Sequence, residues 1–473
     1  MENNIQKTEL VVIGSGPGGY TAAFRAADLG IQVTLIDKSY NLGGVCLNKG
    51  CIPSKSLLHL AKTINDIEEI REAGVLFSKP KINISKIHKW KNETISNLNS
   101  GIKKLAKTRK ITILNGVATF NSANQIEIND KQNKKILLVF DNCIIATGSS
   151  PQIIPNLNKK HPNIIDSTDA LNFKSIPEKL LIIGGGYIGL ELGEVYSALG
   201  SKVTIAEFLP SILSMADNDL SMILTNTLEK RFENIFTSTE ITELLPKGND
   251  NVIATFKNNK IFKDRFDKVL ICIGRTPNTS KLNIEKTGIK LDEKGFIPVN
   301  DQRRTLIPNI FAIGDITGNP MLAHKATHEG KVAAEVISGT NVSFSPITIP
   351  SVIYTNPEVA WCGDTENELN EQSIRYLKAE FPWSASGRAL AVGATNGITK
   401  ILCNEKKTKI LGVGIVGHNA GELINEAVLA IEMGSTPEDL ALTIHAHPTL
   451  SETLANAAEI INGSITDLYI PKK

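Results

Sequence analysis

The chain has 473 residues, 41% of them hydrophobic and 21% charged, with 51 basic side chains against 49 acidic ones. That length accommodates roughly two to four domains, each able to bury a core, and a net charge of +2 lacks the basic bias of a nucleic-acid binder or of a protein held on an anionic membrane. Six cysteines in so long a chain are no disulfide framework.

The first nine residues carry acids and run directly into an apolar strand, leaving no room for a secretion signal or a basic transit segment. No apolar run reaches the roughly 18 residues that a membrane crossing needs, so a cytoplasmic protein is expected. From there the chain reads as strand Leu10–Ile13, a Gly14-Ser-Gly16-Pro-Gly-Gly19 turn, a helix to Leu29, a strand Val33–Ile36 and then Asp37. The same order returns later: strand Leu180–Ile183, Gly184-Gly-Gly186-Tyr187-Ile188-Gly189, a helix to Leu199, strand Val203–Ala206 and then Glu207. The acid follows the first glycine at the same distance in both units. A glycine-rich turn between strand and helix lets a pyrophosphate approach the backbone and the helix N-terminus, and the acid after the next strand accepts from ribose hydroxyls. Two such units in one chain predict two bound dinucleotides.

Between the units, Gly43-Gly-Val-Cys46-Leu-Asn-Lys-Gly-Cys51-Ile-Pro-Ser-Lys55 follows the first acid closely, which places the cysteine pair near the first dinucleotide. A metal site, a pair of inert thiols and a redox dithiol are the alternatives. No further Cys or His ligands stand nearby to complete a zinc site, and a dithiol beside a flavin links sulfur exchange to hydride chemistry. Cys143, Cys272, Cys362 and Cys403 lie in apolar or strand-like surroundings and read as small core residues. A helix-rich insert is expected from about residue 54 to 107, then short strands over 111–120 and 125–140. The strand ending at Thr147-Gly148, the one ending at Gly274-Arg-Thr-Pro-Asn278 and the one ending at Gly314-Asp315 turn where ligands sit in open α/β sheets. After a proline-rich boundary near residue 346, the alternating segments Ile398–Asn404 and Ile410–Val416, with helices near Ala420–Met433 and Thr436–Thr443, predict an α+β domain.

Taken together, the cysteine segment, the two glycine-rich units, Gly274–Asn278, Ala312-Ile-Gly-Asp315 and the tail His445-Ala-His447-Pro-Thr-Leu-Ser-Glu452 resemble the pyridine nucleotide–disulfide oxidoreductases over essentially the whole chain. Within that family the resemblance is strongest to the members that oxidise dihydrolipoyl groups. It implies an α/β fold with two Rossmann-like dinucleotide-binding domains, for FAD and NAD, and a C-terminal α+β dimerisation domain. The expected division is 1–148 with 273–345 for FAD, 149–272 for NAD and 346–473 for the dimer interface.

By this resemblance Cys46 is the thiol that exchanges with substrate, Cys51 the one beside the flavin, and His447 the base oriented by Glu452. The base is the histidine before Pro448 and not His445, and it is expected to serve the active site of the other subunit in a homodimer. FAD contacts are expected at Gly14, Gly16, Gly19, Asp37, Lys55, Ala118, Thr147, Gly148, Ser149, Asp315, Met321, Leu322, Ala323 and His324. NAD contacts are expected at Gly184, Gly186, Tyr187, Ile188, Gly189, Glu191, Glu207, Ile241 and Gly274, with Glu191 also paired with Lys55. Glu207 accepts from a free 2′-hydroxyl and repels a 2′-phosphate, and the following Phe208-Leu209 offers no arginine, so NAD is preferred to NADP. No metal is expected.

Three positions depart from the family pattern. Asp37 replaces a usual glutamate, Lys49 a commonly apolar residue between the cysteines, and Ala118 a glycine, with Gly116 two residues earlier. The implied partners are the lipoyl domains and acyltransferase core of 2-oxoacid dehydrogenase complexes, or the lipoyl carrier of glycine cleavage, and neither nucleic acid nor membrane. The alternatives are a flavin disulfide reductase for another dithiol and a subunit of an acyltransferase complex that does not turn over.

Overall fold

The first apolar run forms strand β1 (Ile5–Ile13), which sends Leu10 and Val12 into one apolar cluster and Val11 and Ile13 into another. This is the two-residue period of a strand covered on both faces, and it explains why the run is continuously apolar. The structure, a computed structural model, describes residues 5–130, 132, 134–154, 156–157, 161–248 and 250–471. It divides into two compact units.

The first unit holds the residues up to Ser56, Asn83–Gln152 and Gly274–Ser345. After β1 come α1 (Pro17–Asp28), β2 (Val33–Asp37), α2 (Gly44–Lys49) and α3 (Cys51–Glu69), within which the division between units falls. Then follow α4 (Ile84–Thr108), β3 (Thr112–Asn115), β4 (Val117–Ser122), β5 (Gln125–Asn129) and β6 (Lys135–Ile145). The sheet runs β3-β2-β1-β6-β5-β4, with Ile310–Ala312 also on β6. Strands β3, β2, β1, β6 and 310–312 are parallel, and β6, β5 and β4 are antiparallel. Gly14, Thr147 and Gly314 therefore follow strand ends, and Asp37 closes its strand, at one edge, where open α/β sheets bind ligands. On one face α1 meets the helix Ala323–Ile337 through small residues: a Cβ on Gly330 would stand 2.6 Å from the Gly18 carbonyl oxygen, so no larger side chain permits this approach.

The second unit holds Leu57–Ile82, Ile153–Ile273 and the residues from Pro346 onward. Its parallel sheet has the order 234–236, 202–206, 179–183, 268–271, 164–165, which repeats the β3-β2-β1-β6 arrangement of the first unit. A three-stranded antiparallel sheet (240–247, 251–257, 261–266) packs over an apolar cluster with it. The C-terminal part is a five-stranded antiparallel sheet, in the order 351–353, 358–363, 410–417, 398–404, 376–382. Helices Ala420–Glu432, Pro437–Leu442 and Glu452–Asn462 accompany it, as the expected α+β character requires. Cys143, Cys362 and Cys403 are buried as expected, but Cys272 is only half-buried because it lies past the end of its strand, where the chain leaves the sheet.

Lys400, 1% exposed, ties the two parts of this unit together. Its Nζ lies 2.7 Å from Asp217 Oδ2, 2.7 Å from Asp219 Oδ1 and 2.8 Å from Glu366 Oε1. The three carboxylates are close enough to surround a cation, and the lysine ammonium occupies their centre. Burial disfavours the charged lysine, but the carboxylates outweigh it and raise the Lys400 pKa. Burial likewise pushes Asp219 up, and the two lysines, Lys400 foremost, hold it well below the ordinary carboxylate range. A carboxylate with a depressed folded pKa contributes stability above its ordinary value of 3.8 that is lost as pH falls through the folded pKa. Replacing Lys400 by Met strands these charges and is expected to cost about 3–5 kcal/mol at neutral pH. The acid response then differs: between about pH 7 and 5 the variant gains stability relative to the wild type as its stranded carboxylates take up protons, so the gap between the two narrows. Urea denaturation of both proteins across that range checks the expectation, and equal midpoints at neutral pH would refute it.

Candidate active site

Both glycine-rich turns are built alike. Gly14 and Gly184 share φ of +105°, which only glycine adopts readily, and Gly14 lies against the carbonyl of Ala146 as Gly184 lies against that of Cys272. A Cβ on Gly19 or Gly189 would overlap the Gly14 or Gly184 carbonyl oxygen, so each turn is closed on itself. At Gly16 and Gly186 nothing stands within 4 Å of where a Cβ would project. The helices that start there, α1 and Tyr187–Ala198, have no side-chain cap, so their first N–H groups are available to a ligand.

The acids are pinned in matching fashion. Asp37 accepts from the Ser15 N–H at 2.8 Å and the Ser39 N–H at 2.8 Å, and Glu207 from the Gly185 N–H at 2.5 Å and the Leu209 N–H at 2.7 Å. In the first unit the Ser15 hydroxyl adds a bond to Asp37 at 2.6 Å, a contact for which the glycine of the second unit has no counterpart. These residues fit a dinucleotide in each unit.

The cysteine segment is seated on the first turn. Gly43 N–H donates to the Ser15 carbonyl at 2.8 Å, and a Cβ on Gly44 would come within 2.6 Å of the Gly16 Cα. Cys46 lies on α2, and Cys51 is the first residue of α3, where the helix end favours negative charge. The two thiols are hydrogen-bonded to each other. This bond, followed by burial, raises the Cys46 pKa strongly, with Lys55 acting in the opposite direction and Asp315 in the same one. Tyr20 on α1 is raised by burial and then by the nearby cysteines, which puts it beside the pair.

The remaining expected FAD residues fall on the same sheet edge, with one exception. Thr147 Oγ1 donates to the Asn278 carbonyl at 2.9 Å, the Asn278 amide returns a bond to the Thr147 carbonyl at 2.9 Å, and the Asn278 N–H donates to Gly148. Ser149 Oγ donates to Asp315 and accepts from Arg275 Nε at 2.7 Å. Gly314 N–H in turn donates to Glu329, a fully buried carboxylate paired with Arg303 and Lys325. Met321 and Leu322 lead into the helix that begins with Ala323 and His324, whose N-terminus also has no side-chain cap. Ala118 is the exception: it lies within β4 and its side chain packs in the apolar core, which leaves only its backbone to meet a ligand.

In the second unit, Tyr187 and Ile188 are half-buried in the first turn of their helix, and Glu191 is buried with Oε1 accepting from the Tyr354 N–H at 3.1 Å. Ile241 is a core residue beside a β-bulge. Gly274, grouped by sequence with the NAD contacts, belongs to the first unit, with its carbonyl accepting from the Gln152 N–H. Lys55 and Glu191 lie in different units.

The C-terminal histidines are distinguished by their partners. His447 Nδ1 lies 2.9 Å from Glu452 Oε1, and Glu452 Oε2 accepts from the Thr449 N–H at 2.6 Å. Burial pushes the Glu452 carboxyl up, but the Thr449 N–H and the His447 ring outweigh it and hold the pKa below its ordinary value. A carboxylate can only accept, so Nδ1 carries the proton and the Nε2 lone pair of the neutral ring points outward. The side chain is 79% exposed. His445, by contrast, has Nε2 on Glu426 at 2.7 Å and Nδ1 on the Thr443 carbonyl at 2.9 Å, so both of its nitrogens are engaged. Sequence reasoning missed the Ser15 hydroxyl, Tyr20, Arg275 and Glu329, because each acts through a neighbour distant in sequence; Ser15 and Arg275 stand inside motifs, but at positions whose side chains the motif does not specify.

Residues 8–330 match the family described as pyridine nucleotide-disulphide oxidoreductase, and residues 349–458 match the dimerisation domain of that family. The chain is 48% identical to the dihydrolipoyl dehydrogenase of Vibrio cholerae, covering 98% of this chain and 97% of that protein. It is 49% identical to the dihydrolipoyl dehydrogenase of Buchnera aphidicola from Schizaphis graminum, covering 100% and 99%. The crystal structure of LpdA from Mycobacterium tuberculosis superposes with a TM-score of 0.88 at 25% identity, covering 96% of this chain and 99% of that one. With both of its parts matched and whole-length relatives at nearly half identity, the chain belongs to the pyridine nucleotide-disulphide oxidoreductases.

Proposed function

We propose that this chain oxidises protein-bound dihydrolipoyl groups to the cyclic disulfide and reduces NAD to NADH, using FAD and the Cys46–Cys51 pair. The observation that carries the reading is the hydrogen-bonded dithiol seated on the first glycine-rich turn through Gly43 and Ser15. Its relatives of the same length carry the name dihydrolipoyl dehydrogenase.

In the oxidised enzyme a substrate thiol gives its proton to His447 Nε2, and the thiolate attacks the sulfur of Cys46. The Cys46–Cys51 bond breaks, a mixed disulfide forms, and the electron pair of the broken bond remains on Cys51, at the positive end of α3. The second substrate thiol then attacks its own partner sulfur, closes the lipoyl ring and returns Cys46 as a thiol. FAD bound beside the dithiol would supply the two-electron link between the sulfur pair and hydride transfer to NAD. Gly16 and Asp37 with the start of α1 would hold the first dinucleotide; Gly186, Glu207 and the start of the 187–198 helix would hold the second. Glu452 fixes the tautomer and direction of His447.

The match to the family's dimerisation domain supports a homodimer. Leu429, Met433, Leu442 and Ile444 are exposed on the single chain close in sequence to the histidine tail, Ile444 at 97%, and a second copy would cover them. In our reading the partner subunit's His447 serves each Cys46. The lipoyl groups arrive on the lipoyl domains of a 2-oxoacid dehydrogenase complex, with its acyltransferase core as the docking partner, or on the lipoyl carrier of glycine cleavage.

His447→Gln is expected to retain FAD and lose about 10²–10⁴-fold of dihydrolipoamide-dependent NADH formation. A wild-type protein that carries FAD and does not turn over dihydrolipoamide would overturn the assignment. Sharing of the site between subunits is tested by mixing Cys46→Ser and His447→Gln chains, refolded together. Mixed dimers then hold one intact site, and about a quarter of the wild-type rate should return; no recovery means that both residues of a site come from one chain. Glu207→Gln should narrow the preference for NAD over NADP by about tenfold, since the repelling charge is gone while its shape is kept. Steady-state kcat/KM with both nucleotides gives that ratio, and an unchanged preference would assign it elsewhere.

A further inference from the structure

We infer that Asn99, far along α4, is a positioning residue for the Cys46–Cys51 dithiol and acts through Asn48. The inference rests on the dithiol role proposed above. Asn48 lies between the cysteines, and its Nδ2 donates to the carbonyls of Leu42 and Gly44, both at 2.9 Å. These bracket Gly43, the left-handed residue at which the chain turns into α2. Carbonyls accept only, so this end of the amide is its NH2 group, and its Oδ1 must point the other way and needs a donor there. Asn99 Nδ2 supplies it at 2.8 Å.

Asn99 is 4% exposed, and its own Oδ1 is buried with no hydrogen-bond partner among the described residues. Ile95 and Ile102 on the same helix pack into the apolar cluster of the first unit. A buried acceptor left unused is unfavourable, and a leucine there would avoid it. What the asparagine provides instead is a donor aimed at Asn48. The helix α2 has six residues, too few to hold its own geometry, and it carries Cys46. The Asn99–Asn48 tie anchors it to the 25-residue α4.

The consequence lies in the exchange of the protein disulfide plus dihydrolipoamide for the protein dithiol plus lipoamide. Two electrons pass from the substrate sulfur pair to the protein pair, and the two thiol protons move with them. A segment already held in place loses little freedom when the two sulfurs join, whereas a loosened segment gains freedom chiefly in the dithiol state. Cutting the tie therefore shifts the exchange toward the protein dithiol.

The test uses the FAD-loaded enzyme and its Asn99→Leu, Asn48→Leu and N48L/N99L variants. Each is equilibrated without oxygen in mixtures of dihydrolipoamide and lipoamide, quenched in acid and mass-tagged at Cys46 and Cys51. Thermal melting is recorded in parallel. N99L is expected to shift the dithiol-to-disulfide ratio about tenfold toward dithiol, and adding it to N48L should produce no further shift. A wild-type ratio in N99L, whatever its melting temperature, overturns the inference, as does a double variant in which the two shifts multiply. Should N99L fail to fold, N48L decides, because it cuts the same tie from the other end and a wild-type ratio there is equally fatal. A wild type that forms no Cys46–Cys51 disulfide in any mixture overturns the dithiol reading and this inference together; an intact wild-type disulfide with unshifted variants overturns this inference alone.

Discussion

The site depends on backbone lying in contact with backbone at the C-terminal edge of each parallel sheet. The Gly14 Cα stands over the Ala146 carbonyl, Gly19 closes on the Gly14 oxygen, and Gly44 is laid over Gly16. Each approach leaves no room for a single methyl group, and together they bring the first helix N-terminus, the ribose acid and the cysteine segment to one point. The second unit repeats the first two approaches with Gly184, Cys272 and Gly189, and has no cysteine segment over its turn. One architecture thus serves two nucleotides, and what distinguishes the first is the segment from Gly43 to Cys51.

That constraint explains what could be read from the sequence. Glycines needed for a close approach stand at fixed offsets from a strand and an acid, so Gly14, Gly16, Gly19 and Asp37, and their counterparts from Gly184 to Glu207, are visible as a pattern and fold as that pattern implies. The apolar runs at 10–13 and 180–183 are strands covered on both faces, and the alternating segments from 398 to 416, expected in an α+β domain, form an antiparallel pair. What stayed hidden was every partner fixed by tertiary adjacency. Nothing in the spelling of Arg275 says that it clasps Ser149, nor in Asn99 that it faces Asn48. Lys400 sits at an interior position of a strand, where a lysine contradicts the binary pattern; that contradiction is a signal, and the three carboxylates explain it. Ala118 and Ile241 mark the other limit: both are expected at a ligand, both have their side chains in the core, and there the residue type reports packing alone.

Proton and electron bookkeeping in the dithiol follows from placement. Cys46 and Cys51 share one hydrogen bond and both lie near Tyr20, yet they differ in where they sit: one on a short helix, the other at the start of a long helix. The bond to Cys51 and then burial raise the Cys46 pKa while Lys55 pulls it down, and the start of α3 favours charge on Cys51. In the proposed cycle the thiol that takes up a substrate sulfur is Cys46, and the thiol left with the charge, Cys51, has the helix end behind it. His447 completes the scheme because Glu452 can only accept, which turns the bare nitrogen outward; His445, two residues earlier and equally close to an acid, has both of its nitrogens occupied.

The second unit carries both the nucleotide residues and the histidine tail, so the firmness of its internal ties bears on how well a base is presented. Two polar clusters make those ties. Lys400 holds the start of the 218–228 helix to the dimerisation sheet, and Arg231 bonds both Glu194 at 2.9 Å and the Asn356 carbonyl at 2.6 Å. Glu194 also accepts from the Asn356 N–H at 2.7 Å, and one turn earlier Glu191 accepts from Tyr354. Both carboxylates rise from the helix that opens at the second glycine turn. The segment 354–356 is thus fixed directly to the helix that receives a nucleotide, through charges whose removal from water is costly and which tolerate little displacement once paired. Burial pushes Glu194 up to about 7 against the pull of Arg231, so this tie is the softer of the two near neutral pH, while the Lys400 cluster, with its acid held low and its base held high, keeps its charges throughout that range.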